Sequence, residues 1–75
     1  MINVLFFGAI ADHMQKRECL LPGHEPMTIE EMVSAVGCAD LQPLLVAVNQ
    51  VQIHDTDYLL HAGDEVALMP PFSGG

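Results

Sequence analysis

At 75 residues the chain has room for one small domain, 1–75, whose core is only just large enough to fold alone. The 51% of hydrophobic residues favours a compact core over disorder. The formal net charge is −8, with Lys16 and Arg17 as the only lysine and arginine. This charge disfavours nucleic acid and anionic membranes as partners, and a basic protein surface is its natural complement.

The N-terminal residues 1–11 are apolar enough to resemble the core of a signal peptide, but no basic region precedes them. No stretch approaches the roughly 20 apolar residues that span a bilayer. We therefore expect a cytoplasmic protein with no membrane contact.

The first half of the chain begins with a predicted strand at residues 2–7, which is largely apolar on both faces and ends at Gly8. Such a strand is central in a sheet or half-covered by a partner. Residues 9–16 mix polar and apolar side chains and are predicted to form a loop or turn. Residues 17–21 offer a second strand, a hairpin partner of the first, and 22–26 are a loop.

A helix is predicted to begin after Thr28, because Thr28 and Glu31 have the spacing of a capping box. The apolar residues that follow recur at helical spacing: Ile29, Met32, Val33 and Val36. Gly37 is the expected left-handed residue after the helix. A helix this short needs tertiary packing, so its apolar stripe is expected to lie on a sheet.

The second half contains three further predicted strands, at residues 44–48, 51–53 and 65–69. Asn49-Gln50 suits a tight turn between the first two, and residues 62–64 form a turn before the last. The order of elements predicts an α+β domain of the β-grasp (ubiquitin-like) fold. In it a mixed sheet of four to five strands carries one main helix on one face, and the first and last strands pair in parallel at the centre. A ferredoxin-like fold would need a second helix.

The C-terminal residues 70–75 are predicted to form a flexible tail. Pro70 and Pro71 have no N–H for a sheet ladder, so the last strand must stop before them, and their fixed φ angles aim the tail away from the body. Six extended residues reach roughly 20 Å. Gly74 and Gly75 end the sequence in a carboxylate, and such a tail suits delivery of a chain end into the pocket of a partner.

Several segments resemble a known family: Val48-Asn49-Gln50, Gly63-Asp64-Glu65-Val66-Ala67, the opening Ile2 to Gly8, and Met69-Pro70-Pro71-Phe72-Ser73-Gly74-Gly75. The chain resembles the small, sulfur-carrying subunit of molybdopterin synthase, of the ubiquitin-like ThiS/MoaD family. The Gly-Asp-Glu-Val turn and the diglycine end are shared by ubiquitin-like sulfur carriers, and the Pro-Pro-x-Ser-Gly-Gly ending is more particular to the molybdopterin branch.

The resemblance implies a reaction at the Gly75 carboxylate. A ubiquitin-activating-like adenylyltransferase would adenylate it with ATP, and sulfur would then replace the adenylate to give a thiocarboxylate. The large catalytic subunit of molybdopterin synthase would bind the charged carrier, in a heterotetramer, and sulfur would pass to the cyclic pterin precursor. The resemblance thus implies no enzyme activity of the chain alone and no permanently bound cofactor.

The remaining candidate residues concern docking. Phe7, Met69 and Phe72 are placed to form an apolar docking patch beside the tail, if the last strands leave one face of the sheet uncovered. The predicted partner-binding set is Phe7, Met69, Pro70, Pro71, Phe72, Ser73 and Gly74.

Other groups have simpler interpretations. Cys19 and Cys38 suit small buried positions, and the four histidines have no metal-ligand spacing. Three alternatives remain open: a sulfur carrier of another pathway, such as thiazole (thiamine) synthesis or tRNA thiolation; a β-grasp interaction module with an idle tail; and a conjugated ubiquitin-like modifier.

Overall fold

The fold consists of a sheet, two short helices and a small second sheet. A computed structural model describes residues 1–22 and 26–71. In chain order the elements are β1 (Ile2–Phe6), α1 (Gly8–Met14), β2 (Glu18–Leu21), β3 (Met27–Thr28), α2 (Ile29–Ala35), a 3₁₀ turn (Ala39–Leu41), β4 (Leu45–Val48), β5 (Val51–Ile53), β6 (Leu59–Leu60) and β7 (Glu65–Met69).

The main sheet has five strands in the order β2-β1-β7-β4-β5. β1 and β7 pair in parallel, with Val4 opposite Val66 and Phe6 opposite Leu68. The other neighbouring strands of this sheet are antiparallel, and β3 and β6 form a separate antiparallel pair. The predicted β-grasp topology, with the first and last strands adjacent and parallel, is confirmed.

The hydrophobic core lies between one face of this sheet and both helices. Alternate residues of β1 and β7 are buried, which is the period-2 pattern of a strand with one face on the core. Ile10 of α1 and Met32 of α2 belong to the same buried cluster. Both helices therefore cover the same face of the sheet. None of the described helices is long and apolar enough to cross a membrane.

Helix α2 begins and ends as the sequence predicts. The Thr28 hydroxyl accepts the Glu31 N–H (3.1 Å), and the Glu31 carboxylate accepts the Thr28 N–H (2.8 Å), which completes the capping box. Gly37 has a φ of +88°. The Cys38 N–H reaches back to the Val33 carbonyl (2.9 Å), as in a Schellman motif.

The prediction of a loop at residues 9–16 is wrong, because α1 occupies most of it. Ile10 is buried and Met14 packs against the core, so one turn of apolar spacing anchors the helix to the sheet. Its ends carry none of the usual signals. Phe7 precedes it without a capping side chain, and Gln15, with a φ of +59°, ends it where glycine is usual.

The turn between β4 and β5 is tied to the start of β7. Asn49 and Gln50 have φ of 50° and 71°, as a type I′ turn requires, which confirms the predicted tight turn. The Asn49 side chain donates to the Asp64 carboxylate (3.1 Å) and accepts the Glu65 N–H (3.0 Å). Asp64 also accepts the His61 N–H (2.8 Å). We call these hydrogen bonds the Asn49–Asp64 clamp.

Candidate functional site

The candidate site is built where the last strand of the sheet ends. β7 is held by β1 on one side and by β4 on the other, and it stops at Met69. Pro70 and Pro71 follow, and neither can donate a backbone hydrogen bond to a sheet. The described chain therefore leaves the sheet at Pro70, directly after its middle strand.

The end of β1 supports this exit. The Phe7 N–H donates to the Leu68 carbonyl (3.1 Å), which extends the contact between β1 and β7 by one residue. Gly8 then has a φ of +54°, and a Cβ at Gly8 would lie 3.2 Å from Cγ of Pro70. Glycine thus serves twice here, by allowing the left-handed backbone and by leaving room for the proline ring. We call Phe7, Gly8, Met69 and Pro70 the tail base.

Two of the three residues of the predicted docking patch are brought together. The register places Phe7 one residue beyond the Phe6–Leu68 pair, and so beside Met69. Phe7 is 47% exposed, and Met69 is half-buried and paired with Leu45 of β4. These side chains lie on the face of the sheet opposite to the core.

The same face carries further apolar residues. Leu5, Ala67 and Ala47 lie in register across β1, β7 and β4, and all three are half-buried. Neither described helix packs on this face, because the buried residues of both helices belong to the core cluster on the other side. We call the apolar side chains on this side of the sheet the open face: Leu5, Leu45, Ala47, Ala67 and Met69.

Of the residues on this face, the docking patch predicted from the sequence includes only Phe7 and Met69. Strand alternation also places Leu5 and Ala67 there, because residues two apart in a strand lie on the same face. Leu5 is two residues before Phe7, and Ala67 is two residues before Met69. Leu45 and Ala47 needed the pairing of β4 with β7, which alternation alone does not supply.

A depression of about 450 Å³ lies beside the tail base. Leu5, Phe7 and Gly8 form its apolar part, and Asp12 and Arg17 bring charge to it. Arg17 is one of only two arginine or lysine residues in an acidic chain. With Glu18 as the remaining charged lining residue, the depression combines apolar and charged groups beside the point where the chain leaves β7.

Neither cysteine belongs to the tail base or lines the depression beside it. Cys38 is fully buried, and burial raises the pKa of its thiol, so it stays protonated as a small core residue. Cys19 is a half-buried free thiol that packs against the core. The described residues contain no group of three histidine, cysteine or acidic side chains placed to hold a metal.

The rest of the predicted site is the tail itself. Pro70 and Pro71 are half-buried. Phe72, Ser73, Gly74 and Gly75 lie outside the described residues, so their roles in partner binding and in the chemistry of the carboxylate stay predictions.

Comparison with known proteins identifies the family. The structure is similar to SAMP1 from Haloferax volcanii (TM-score 0.80, 23% identity, 99% of this chain and 98% of that one). It is similar to a putative molybdopterin converting factor subunit 1 from Pyrococcus furiosus (TM-score 0.78, 16% identity, 95% and 97%). A third similar structure is a complex of subunits 1 and 2 of molybdopterin-converting factor from Helicobacter pylori (TM-score 0.67, 21% identity, 99% and 97%). The profile of the ThiS family matches residues 4–75, so the chain belongs to the ThiS family.

Proposed function

We propose that this chain is the sulfur-carrying subunit of a molybdopterin synthase, with the sulfur held as a thiocarboxylate on Gly75. The observation that carries the proposal is the family match over residues 4–75, which includes the whole tail. The geometry supports it, because the strand that leads into the tail is the middle strand of the sheet. A rigid base and an extended end suit the presentation of one reacting group to another protein.

The activation step follows from the chemistry of a carboxylate. A carboxylate is a poor electrophile, so the Gly75 oxygen first attacks the α-phosphate of ATP, with pyrophosphate as the leaving group. Sulfide from a donor then attacks the acyl carbon and displaces AMP, which leaves the thiocarboxylate. An adenylyltransferase of the ubiquitin-activating type supplies the ATP site, and this chain supplies the acyl carbon without a side chain beside it.

The delivery step places the chain on a second protein. The support is the similar structure from Helicobacter pylori, which is a complex of subunits 1 and 2. In our proposal the open face and the tail base dock on the large subunit, and the tail enters its pocket. The thiocarboxylate sulfur then attacks a carbon of the cyclic pterin phosphate precursor and displaces a phosphate oxygen from it. Water cleaves the acyl–sulfur bond, which leaves the sulfur on the pterin and a carboxylate on Gly75. The chain is a substrate-bearing subunit of the heteromeric enzyme, and the large subunit forms the active-site pocket.

The test is the intact mass of the protein after incubation with ATP, an adenylyltransferase of this type and a sulfide source. We expect one oxygen to be replaced by one sulfur, and the loaded protein to support dithiolene formation by the large subunit. Deletion of Gly75, or addition of one residue after it, should abolish sulfur transfer and leave the melting temperature nearly unchanged. Normal transfer by the Gly75-deleted chain would contradict the proposal.

A conjugated modifier is the second candidate, and the similarity to SAMP1, a small archaeal modifier protein, favours it. In that case the activated Gly75 carbonyl is attacked by a lysine amine of a target, and AMP leaves. Both candidates need adenylation. They differ in the product, since one gives a thiocarboxylate and the other gives covalent adducts that survive reducing denaturing electrophoresis.

A further inference from the structure

A second groove lies on the helix side of the sheet, away from the open face. It has a volume of about 450 Å³ and runs between α2 and the β4–β5 hairpin. Ile29 and Val33 of α2 form one wall, and Val46 and Ile53 form the other. About half of the lining residues are polar, so the groove is only partly apolar, and an edge strand bounds it on one side.

That edge strand has free backbone groups. β5 is the last strand of the sheet, and Val48 and Val51 flank its two-residue turn as a pair. The pair next to such a turn is hydrogen-bonded, and hydrogen-bonded and non-hydrogen-bonded pairs alternate along an antiparallel ladder. Gln52 therefore points its N–H and C=O away from β4, and its side chain is exposed.

The rim of the groove is acidic. Glu30 and Asp55 are exposed and line it together with His54, and no lysine or arginine lines the groove. The two basic side chains, Lys16 and Arg17, lie between α1 and β2, and β2 is the opposite edge of the sheet from β5. The charge at this edge is complementary to lysine or arginine.

We propose that this groove, the α2–β5 groove, is a second docking site. It takes a short extended segment of a partner protein, which adds to β5 as a further strand through the backbone of Gln52. Alternate apolar side chains of that segment enter the groove. Its flanking lysine or arginine side chains lie beside Glu30 and Asp55.

The site goes beyond the proposed function, because it does not use the tail and shares only Leu45 with the open face. The open face and the α2–β5 groove lie on opposite sides of the sheet. One protein can therefore hold the carrier by the groove while another protein works on the tail.

The experiment uses the isolated protein, labelled with ¹⁵N, and the synthetic peptide Lys-Lys-Val-Thr-Val-Thr-Val-Lys-Lys. We expect amide shifts at Gln52, Ile53 and along α2, slower hydrogen exchange of the Gln52 N–H, and a Kd of about 1 mM, as a few hydrogen bonds and a small apolar contact allow. Added salt should weaken binding. The same peptide with glutamate in place of every lysine should bind much more weakly.

Matched variants at Gln52 distinguish strand addition from non-specific binding of the peptide. Gln52→Pro removes only the outward N–H, which β4 does not use, and should weaken binding about fivefold through the loss of one hydrogen bond. Gln52→Ala keeps the N–H and should bind like the wild type. If Gln52→Pro disturbs the fold, N-methylation of the central valine of the peptide tests the same pairing from the other side.

Three results would overturn the proposal: no shift at several millimolar peptide, shifts centred on Leu5, Ala47 and Ala67 of the open face, or equal binding of the lysine and glutamate peptides. Sulfur loading of Gly75 plays no part in these measurements. A failure here is thus distinct from a failure of the proposed function.

Discussion

Gly8 follows the first strand and packs against Pro70, the first residue after the last strand. Its φ of +54° is unfavourable for any residue with a Cβ, and the Pro70 ring lies 3.2 Å from where that Cβ would be. We expect Gly8→Ala to lower the free energy of unfolding by about 1–2 kcal/mol. The displaced proline should also slow sulfur transfer. Urea unfolding and a transfer assay measure the two effects.

Gly63→Ala is the matched control for Gly8. Gly63 also has a positive φ, +92°, but nothing lies within 4 Å of its Cβ position. The Gly63→Ala variant should be destabilised only by the unfavourable positive φ, and it should transfer sulfur at the wild-type rate. Equal transfer rates for the two folded variants would mean that Pro70 does not direct the tail.

Asp64 makes the Asn49–Asp64 clamp sensitive to acid. The hydrogen bond from the His61 N–H has the largest effect and lowers the pKa of the Asp64 carboxyl from its ordinary value of 3.8. Burial is the next largest effect and raises this pKa, while the Asn49 amide and the charge of His61 lower it by smaller amounts. A carboxyl with a lowered folded pKa stabilises the protein above its unfolded pKa, and this contribution is lost as the pH falls through the folded pKa.

We therefore expect the difference in unfolding free energy between wild type and Asp64→Asn to be largest near neutral pH and to shrink at low pH. Urea unfolding at about pH 7 and about pH 3 checks this, since the first pH lies above the ordinary carboxyl pKa of 3.8 and the second lies below it. Asp57→Asn, at an exposed carboxylate, should show no such change. If the difference in unfolding free energy between wild type and Asp64→Asn were the same at both pH values, the charge of Asp64 would not contribute to the stability of the clamp.

Among the helices and strands, those marked by residues close in sequence could be predicted, and those that depend only on packing against distant segments could not. The capping box and Gly37 lie within α2 and its flanks, so the helix could be predicted from neighbouring residues. α1 depends on packing of Ile10 and Met14 against a sheet that forms elsewhere, and its termini have no capping residue. Strands as short as β3 leave no periodic pattern at all.

The candidate site shows the same division. The end of β7 at Met69 could be predicted, because the prolines that follow it cannot continue a sheet ladder. The roles of residues 72–75 stay predictions. The clamp joins Asn49 to Asp64, fifteen residues away. The sequence placed these residues in two turns and in the segments that carry the family resemblance, but it did not predict that they contact each other. Leu45 joins the open face through its pairing with Met69, which no local pattern encodes.

The cap of α2 gives the prediction at this scale. Thr28→Ala removes the acceptor of the Glu31 N–H and should cost about 1 kcal/mol of stability. In a domain of this size that lowers the melting temperature by about 4–8 °C. Thr28→Ser retains the hydroxyl and should melt close to the wild type. Identical melting of the alanine and serine variants would show that the cap contributes nothing.

At the scale of the whole molecule, charge and apolar surface should act on different steps of docking. The net charge of −8 should speed encounter with a basic partner surface, so added salt should lower the association rate with the large subunit. The open face and tail base should hold the complex once formed. Phe7→Ala should therefore raise the dissociation rate about tenfold, as for a central apolar anchor.

Leu59→Ala is the control for docking, because Leu59 is 49% exposed, close to the 47% of Phe7, but lies in the separate β3–β6 sheet. Stopped-flow binding at two salt concentrations separates the two rates. From the sequence, Phe72→Ala is expected to behave like Phe7→Ala. An unchanged dissociation rate for Phe7→Ala would place the docking surface elsewhere.

The central position of β7 also bears on when the protein can fold during its synthesis. β1 is made before the other strands of the main sheet, yet its parallel neighbour β7 is made after all of them, and β4 reaches β1 only through β7. Pairings between such distant segments form slowly, because a long loop must close before they contribute. Until Glu65–Met69 has left the ribosome, the sheet has no middle strand. A chain that stops short of this strand cannot assemble the sheet, so a folded domain is itself evidence that translation reached the base of the tail.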